Sequence, residues 1–313
     1  MKKKLVIGTR GSQLALWQAN WVRDKILALH PGVEVSLEKI KTKGDNILDV
    51  PLAKVGGKGL FVKEIEEALL DGRCDIAVHS LKDVPTEFPD GLFLAVYLSR
   101  EDPRDALISR GNVPFQSLRS GAVIGTSSLR RQCQLLRHRP DLEMVDLRGN
   151  LDTRVRKLDT ESMDAIIVAS AGLNRLGMAD RISEALSVDL MLPAIGQGIV
   201  SIEARKEDKE ALDLILPLNH RESEAAALVE RAFLKRLKGG CQVPIAAHAL
   251  VDNGAIKFSG LLGSLDGKTI MRESASVDWN DPNFPDIGIA LAEKILKRGG
   301  DKILAEVYGR ENF

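Results

Sequence analysis

The chain has 313 residues, 44% hydrophobic and 28% charged, the balance of a globular protein with room for two or three domains. Lys plus Arg and Asp plus Glu both number 44, so no basic excess advertises nucleic-acid binding and any anion site must be a local cluster. No run approaches the ~18 apolar residues of a membrane span, and the opening apolar stretch is short of the ~7–15 of a secretory signal.

Residues 4–8 read as a short apolar strand, followed by Arg10-Gly11-Ser12 and an amphipathic helix to Leu29, then a strand over 33–40. The same order returns later: a strand over 122–125, Thr126-Ser127-Ser128 opening a helix to Leu136, and a strand over 142–147. The buried-strand run 74–80 has its counterpart in 163–170. Three matched elements in one order predict two lobes of similar βαβ construction, with near-continuous apolar strands in sheets covered on both faces. Pro and Gly interrupt the pattern at 99–104 and 192–198, the expected hinges, and a strand over 199–204 is expected to return the chain to the first lobe.

From about Asn219 the pattern changes. A helix over 222–238 is ended by Gly239-Gly240, strands follow over 246–251, 255–262 and 269–277 with an Asp266-Gly267 turn, and a helix over 287–298 closes the chain. The expected organisation is α/β: residues 1–99 with 199–218 as lobe one, 104–192 as lobe two, and 219–313 as a small α+β domain.

Arg130 and Arg131 stand in the first turn of a helix, where each cation is unfavourable by roughly 0.3–1 kcal/mol. That arrangement suits a docked carboxylate or phosphate, since the helix start already attracts anions and a guanidinium pairs bidentately; a solvated surface pair is the bland alternative. Arg10, Arg148, Arg154 and Arg175 all fall at or just after predicted strand ends, where ligands gather in open α/β sheets. So dispersed a set suits a ligand with several carboxylates. Asp83, in Ser80-Leu81-Lys82-Asp83, is either an ordinary turn residue or a carboxylate that stabilises a developing positive charge. Cys241 follows the double glycine on a loop, either as a helix-stop passenger or as an accessible thiol. Residues 56–59 (Gly-Gly-Lys-Gly) miss the phosphate-loop pattern and read better as a lid carrying Lys54 and Lys58. Neither the three cysteines nor the five histidines show metal-ligand spacing, so no metal is expected, and the cysteines without a disulfide framework fit a reducing, cytoplasmic home.

Residues 9–18, 52–61, 77–85, 125–131, 147–150, 192–198, 230–234 and 239–244 together resemble the porphobilinogen deaminase (hydroxymethylbilane synthase) family, over essentially the whole chain. The resemblance implies two lobes like those of type II periplasmic binding proteins plus the C-terminal domain. It implies a dipyrromethane cofactor bound to Cys241 through a thioether. Four porphobilinogens are then joined head to tail with loss of ammonia, and water releases hydroxymethylbilane. It places Lys82, Thr126, Ser128, Arg130, Arg131 and Arg154 on cofactor carboxylates. Arg10, Ser12, Arg148, Arg175 and Gln197 fall to the substrate, Asp83 to the cationic intermediate, and Phe61 to the lid. A monomer is expected, with no nucleic-acid or membrane partner. Ala246 departs from the Gly of many relatives without threatening the thioether. The competing reading is a non-catalytic two-lobed binding protein for a polycarboxylate solute, which has no need of a Gly-Gly-Cys loop.

Overall fold

The computed structural model describes residues 2–46, 59, 62–240 and 243–308. The chain begins with β1 (Lys4–Thr9) and α1 (Gln13–Leu29), whose N-cap Ser12 accepts a hydrogen bond through Oγ from the Ala15 N–H at 3.3 Å. β2 (Glu34–Lys39), α2 (Lys63–Leu70), β3 (Ile76–Ser80) and β4 (Leu92–Tyr97) follow. Next come β5 (Asp105–Ser109), β6 (Val123–Gly125), α3 (Leu129–His138), β7 (Glu143–Val145) and α4 (Leu151–Thr160). β8 (Ala165–Ala169), α5 (Ser170–Arg175) and the two-residue β9 (Glu184–Ala185) complete that stretch.

β10 (Val200–Arg205) and α6 (Lys209–Ile215) precede the long α7 (Arg221–Arg236). Two five-stranded sheets result, ordered β2-β1-β3-β10-β4 and β7-β6-β8-β5-β9. In each, three parallel strands are joined by one antiparallel strand from the far side of a crossing, β10 in the first sheet and β5 in the second. That is the architecture implied for two type II binding-protein lobes. The duplication reaches single hydrogen bonds. Asp75 accepts the Val6 N–H at 2.8 Å before β3, and Asp164 accepts the Val123 N–H at 2.7 Å before β8.

The described residues up to Glu101 form one compact unit with Gly198–Glu224, and Asp102–Gln197 form the other with the residues from Ala225 onward. Both sheets are covered on two faces. In the first unit Ile76, Val78, Val200 and Ile202 pack with α1 and α6, while Ala77 packs with Ile65, Ala68 and Leu69 of α2.

β11 (Ile245–Asp252), β12 (Ala255–Gly263) and β13 (Ile270–Asp278) form an antiparallel sheet beside α7 and α8 (Asp286–Ile295). Val229 and Phe233 of α7, with Leu237 just after it, bury against Phe258, Ile256 and Leu262, with Phe233 edge-on to Phe258 at 5.5 Å between ring centres. Ala246 is fully buried with Leu192 and Leu261, so its extra methyl fills core space.

Two boundaries differ from expectation. α7 stops because Lys238, not a glycine, takes the left-handed conformation (φ 52°), and its carbonyl accepts the Tyr308 hydroxyl at 2.7 Å. Gly239 sits close to its neighbours, since a Cβ there would meet Ile245 Cδ1 at 2.4 Å and Leu234 Cδ1 at 2.6 Å and push those side-chain ends aside. The closing helix over 287–298 is likewise two: α8 ends in a wide turn, Leu296–Gly300, where Gly299 takes φ 99°, and α9 (Asp301–Tyr308) follows.

Candidate functional site

In the first unit, Arg10 follows β1 and directs Nε (3.0 Å) and Nη2 to Asp45 Oδ1. Asp45 also accepts from the Thr42 N–H and hydroxyl, at 3.1 and 2.8 Å. Burial would raise the Asp45 pKa, but Arg10 and Thr42 outweigh it and hold the carboxyl below its ordinary value. Ser12 Oγ accepts the α1 cap bond and still carries an O–H to donate. Beyond β3, Leu81–Asp83 form one 3-10 turn anchored by buried Leu81, whose N–H reaches the Ile199 carbonyl at 3.0 Å. The turn leaves Lys82 half-buried and Asp83 exposed. Among the described residues the Asp83 carboxylate accepts no hydrogen bond.

The second unit gathers the densest charge. Asp105 opens β5, fully buried, and draws in both helix-start arginines. Arg130 Nη1 and Nη2 reach it at 2.6 and 3.2 Å, and Arg131 Nε and Nη2 at 3.0 and 2.7 Å. Arg130 and Arg131 are each 5% exposed and also donate to the Leu192 and Ile167 carbonyls, both at 2.9 Å. Burial pushes the Asp105 pKa upward, yet the two guanidiniums more than offset it and keep the group ionised far below the ordinary carboxylate range. Gln197 joins them, its Nε2 donating to Asp105 at 3.1 Å and to the Pro103 carbonyl at 2.7 Å. Thr126 is buried after β6 and its Oγ1 accepts the Ser128 N–H at 3.3 Å; Ser128 is the N-cap position of α3 without a side-chain cap bond.

Arg148 and Arg175 are half-buried, the latter ending α5, and Arg154 Nε donates to the Gly149 carbonyl at 2.8 Å. Lys54, Lys58, Phe61 and Cys241 lie outside the described residues. Their neighbours Gly240 and Val243 are joined by a hydrogen bond of 3.2 Å. On the same helix, buried Glu230 accepts the Gly196 N–H at 2.6 Å and the Ala249 N–H at 2.8 Å, tying α7 to the crossing turn and to β11. Sequence reasoning missed Asp105, Asp45 and Glu230. For Asp105 a signal existed: a charged residue heading the otherwise apolar run Ala-Leu-Ile in a five-residue buried strand demands a buried partner.

Two guanidiniums share one carboxylate, so the cluster keeps one net positive charge, shielded by backbone carbonyls. Its donors suit a carboxylate. Among the described residues, no group of three His, Cys, Asp or Glu is placed to hold a metal ion, and no helix is long and apolar enough to cross a membrane.

Two family descriptions match this chain: "Porphobilinogen deaminase, dipyromethane cofactor binding domain" over residues 5–213, and "Porphobilinogen deaminase, C-terminal domain" over 225–297. The porphobilinogen deaminase of Trichlorobacter lovleyi is 56% identical over 309 residues, 99% of this chain and 98% of that one. That of Geobacter sulfurreducens is 58% identical over 98% of this chain and 96% of its own. The chain belongs to the porphobilinogen deaminase family. Among solved structures, the substrate binding protein of an amino acid ABC transporter is 14% identical, with TM-score 0.37, covering 69% of this chain and 91% of its own.

In this porphobilinogen deaminase family member the other two cysteines, Cys74 and Cys133, are buried, and burial pushes both thiols up to about 12. Neither is expected to react with iodoacetamide at pH 8 in the native protein, and unfolding in denaturant should expose both. Peptide mapping checks this; native labelling of either one would contradict its burial.

Proposed function

We propose that this chain is a porphobilinogen deaminase that condenses four porphobilinogens head to tail, releasing ammonia at each addition and hydroxymethylbilane at the end. The observation that carries the reading is the Asp105–Arg130–Arg131 cluster, a buried pair of guanidiniums with one net positive charge in a chain of this family. Porphobilinogen bears an acetate and a propionate, so a growing chain accumulates carboxylates. Hydrogen bonds to charged groups contribute ~1.5–3 kcal/mol each, enough for several arginines to set the register of such a chain.

Dipyrromethane bound through Cys241 supplies the free pyrrole carbon on which the chain is extended. Arg130, Arg131, Ser128, Thr126, Lys82 and Arg154 hold its carboxylates in this reading, and Arg10, Ser12, Arg148 and Arg175 orient the incoming substrate. Gln197, which the resemblance gives to the substrate, also serves the arginine pair by donating to Asp105. Asp83 acts where charge changes: as ammonia leaves the substrate, a cation develops on the pyrrole, and an exposed carboxylate without a partner among the described residues offsets it. Lys54 and Lys58 are assigned to a lid from the Gly-rich run that carries them, and Phe61 to the same lid by the family resemblance. A monomeric cytoplasmic enzyme belongs to the same reading.

Intact mass spectrometry tests it. The purified protein is expected to weigh more than its sequence by one dipyrromethane, and brief exposure to porphobilinogen should add a ladder of further pyrrole units. Active protein with the bare mass of the chain would falsify the covalent attachment.

A further inference from the structure

The two units build one junction from different residues, and the difference marks a residue with an unassigned role. In the first unit Gly8 pairs with Ala77, and in the second Gly125 pairs with Ile166, so β1 corresponds to β6 and β3 to β8. The antiparallel strands then align through Val200 opposite Ser80 and Asp105 opposite Ala169. Counting from the N-caps Ser12 and Ser128, Arg130 and Arg131 stand where the first unit has Leu14 and Ala15. The first unit therefore carries the uncharged Leu14, Ala15 and Val200 at the positions where the second carries Arg130, Arg131 and Asp105; Leu14 and Ala15 are half-buried and Val200 is fully buried. The same strand-and-helix plan is thus built once without charges at these positions. Replacing a buried ion triad by packed apolar residues is often neutral or stabilising, so its retention in one unit asks for another explanation.

The hydrogen bonds supply it. Oδ1 of Asp105 accepts from Arg130 Nη2, Arg131 Nε, Arg131 Nη2 and Gln197 Nε2, and Oδ2 accepts from Arg130 Nη1. A guanidinium has two forks for bidentate pairing, one at its end and one along its side. Asp105 takes the end fork of Arg130 and the side fork of Arg131. The side fork of Arg130 (Nε and Nη2) and the end fork of Arg131 (Nη1 and Nη2) each keep N–H groups without a partner among the described residues. Two positive charges and one negative leave one.

We infer that Asp105 is the positioning residue of the arginine pair: it fixes one fork of each guanidinium and cancels one charge, so that the pair takes one further carboxylate in a set register. The inference rests on the proposed function, in which that carboxylate belongs to the dipyrromethane primer. Asp105 acts through the arginines and touches no substrate.

The test uses full-length protein made in cells unable to supply porphobilinogen, then exposed to it, with loading of the primer followed by intact mass and folding by thermal melting. Asp105→Asn keeps the volume and loses the charge; Asp105→Glu keeps the charge and adds a methylene that strains the packing. Loading is expected to slow at least ~20-fold in Asp105→Asn and to recover partly in Asp105→Glu, in an order that does not follow the melting temperatures. Asp105→Asn loading as fast as Asp105→Glu, or faster, would overturn the inference.

If Asp105→Asn does not fold, the combined variant Asp105→Val, Arg130→Leu, Arg131→Ala, which copies the first unit, decides. A folded combined variant means that only the arginines need Asp105; an unfolded one means that Asp105 is structural and the inference fails. Parent protein that never gains the primer mass counts against the proposed function itself, and the inference falls with it.

Discussion

Asp83→Asn is expected to melt close to the parent, to retain the primer mass, and to lose turnover of porphobilinogen by roughly 100-fold or more. The stability half follows from position: Asp83 is exposed and its carboxylate accepts no hydrogen bond among the described residues, and surface changes of that kind shift stability by about 0.5 kcal/mol or less. The activity half follows from charge. Removing one group aimed at charge that develops only in the transition state costs ~10²–10³ in rate, and the amide of Asn carries no charge to offset a cation. Steady-state turnover and a melting curve on one preparation check both halves. Turnover within threefold of the parent would remove Asp83 from the chemistry.

The contrast with other acids of the chain sharpens that expectation. Asp45 is engaged by Arg10, Asp105 by two arginines, and Asp75 and Asp164 by the backbone N–H of Val6 and Val123. Each is fixed by donors that leave it little to offer a ligand. Asp83 sits on a turn whose neighbour Leu81 is locked into the core, so its carboxylate is placed without being consumed.

The parts of this architecture legible in the sequence are the local ones. Apolar runs bounded by Gly, Pro and capping residues predict β1, α1, β6, α3 and the returning strand β10 to within a residue or two, because strand and cap preferences act over a few neighbours. The pairings between distant residues were not legible. Arg130 and Arg131 at a helix start announce an anion, and the first anion they meet is the chain's own Asp105, about 25 residues upstream and brought there by β5 pairing with β8. No periodicity encodes that meeting. The end of α7 differs from the expectation for a related reason: a double glycine looks like a helix stop, but the left-handed turn falls on Lys238, while Gly239 lies close against the side-chain ends of Leu234 and Ile245. Likewise Glu66, His79 and Glu203 come from three separate elements and share no motif.

That last cluster yields a pH dependence of stability. Ser201 and Glu203 on β10 stand opposite His79 and Ala77 on β3, and α2 covers the same face. His79 Nε2 lies 2.9 Å from Glu203 Oε2, while Glu66 on α2 is 7% exposed beside them. Burial, then the charge of Glu203, push Glu66 up from 4.5 to about 7, with Glu67 adding to the rise and His79 opposing it. Oε1 of Glu66 and Oε1 of Glu203 are both buried without a donor among the described residues, and a protonated Glu66 brings the missing O–H. Because the folded pKa exceeds the unfolded one, the folded protein holds a proton that the unfolded chain has lost between pH 4.5 and about 7. Stability from this group is therefore full below pH 4.5, falls across that window, and stays lower above it. A shift of this size corresponds to about 3 kcal/mol. Glu66→Gln, neutral at every pH, should match the parent near pH 4 and exceed its stability by about 2–3 kcal/mol at pH 8. Urea unfolding of both proteins from pH 4 to 8 isolates the contribution of this cluster, since the carboxylates away from it titrate alike in each. Parallel curves across that range would mean that Glu66 is ionised in the folded protein and that the orphaned oxygens are served in another way.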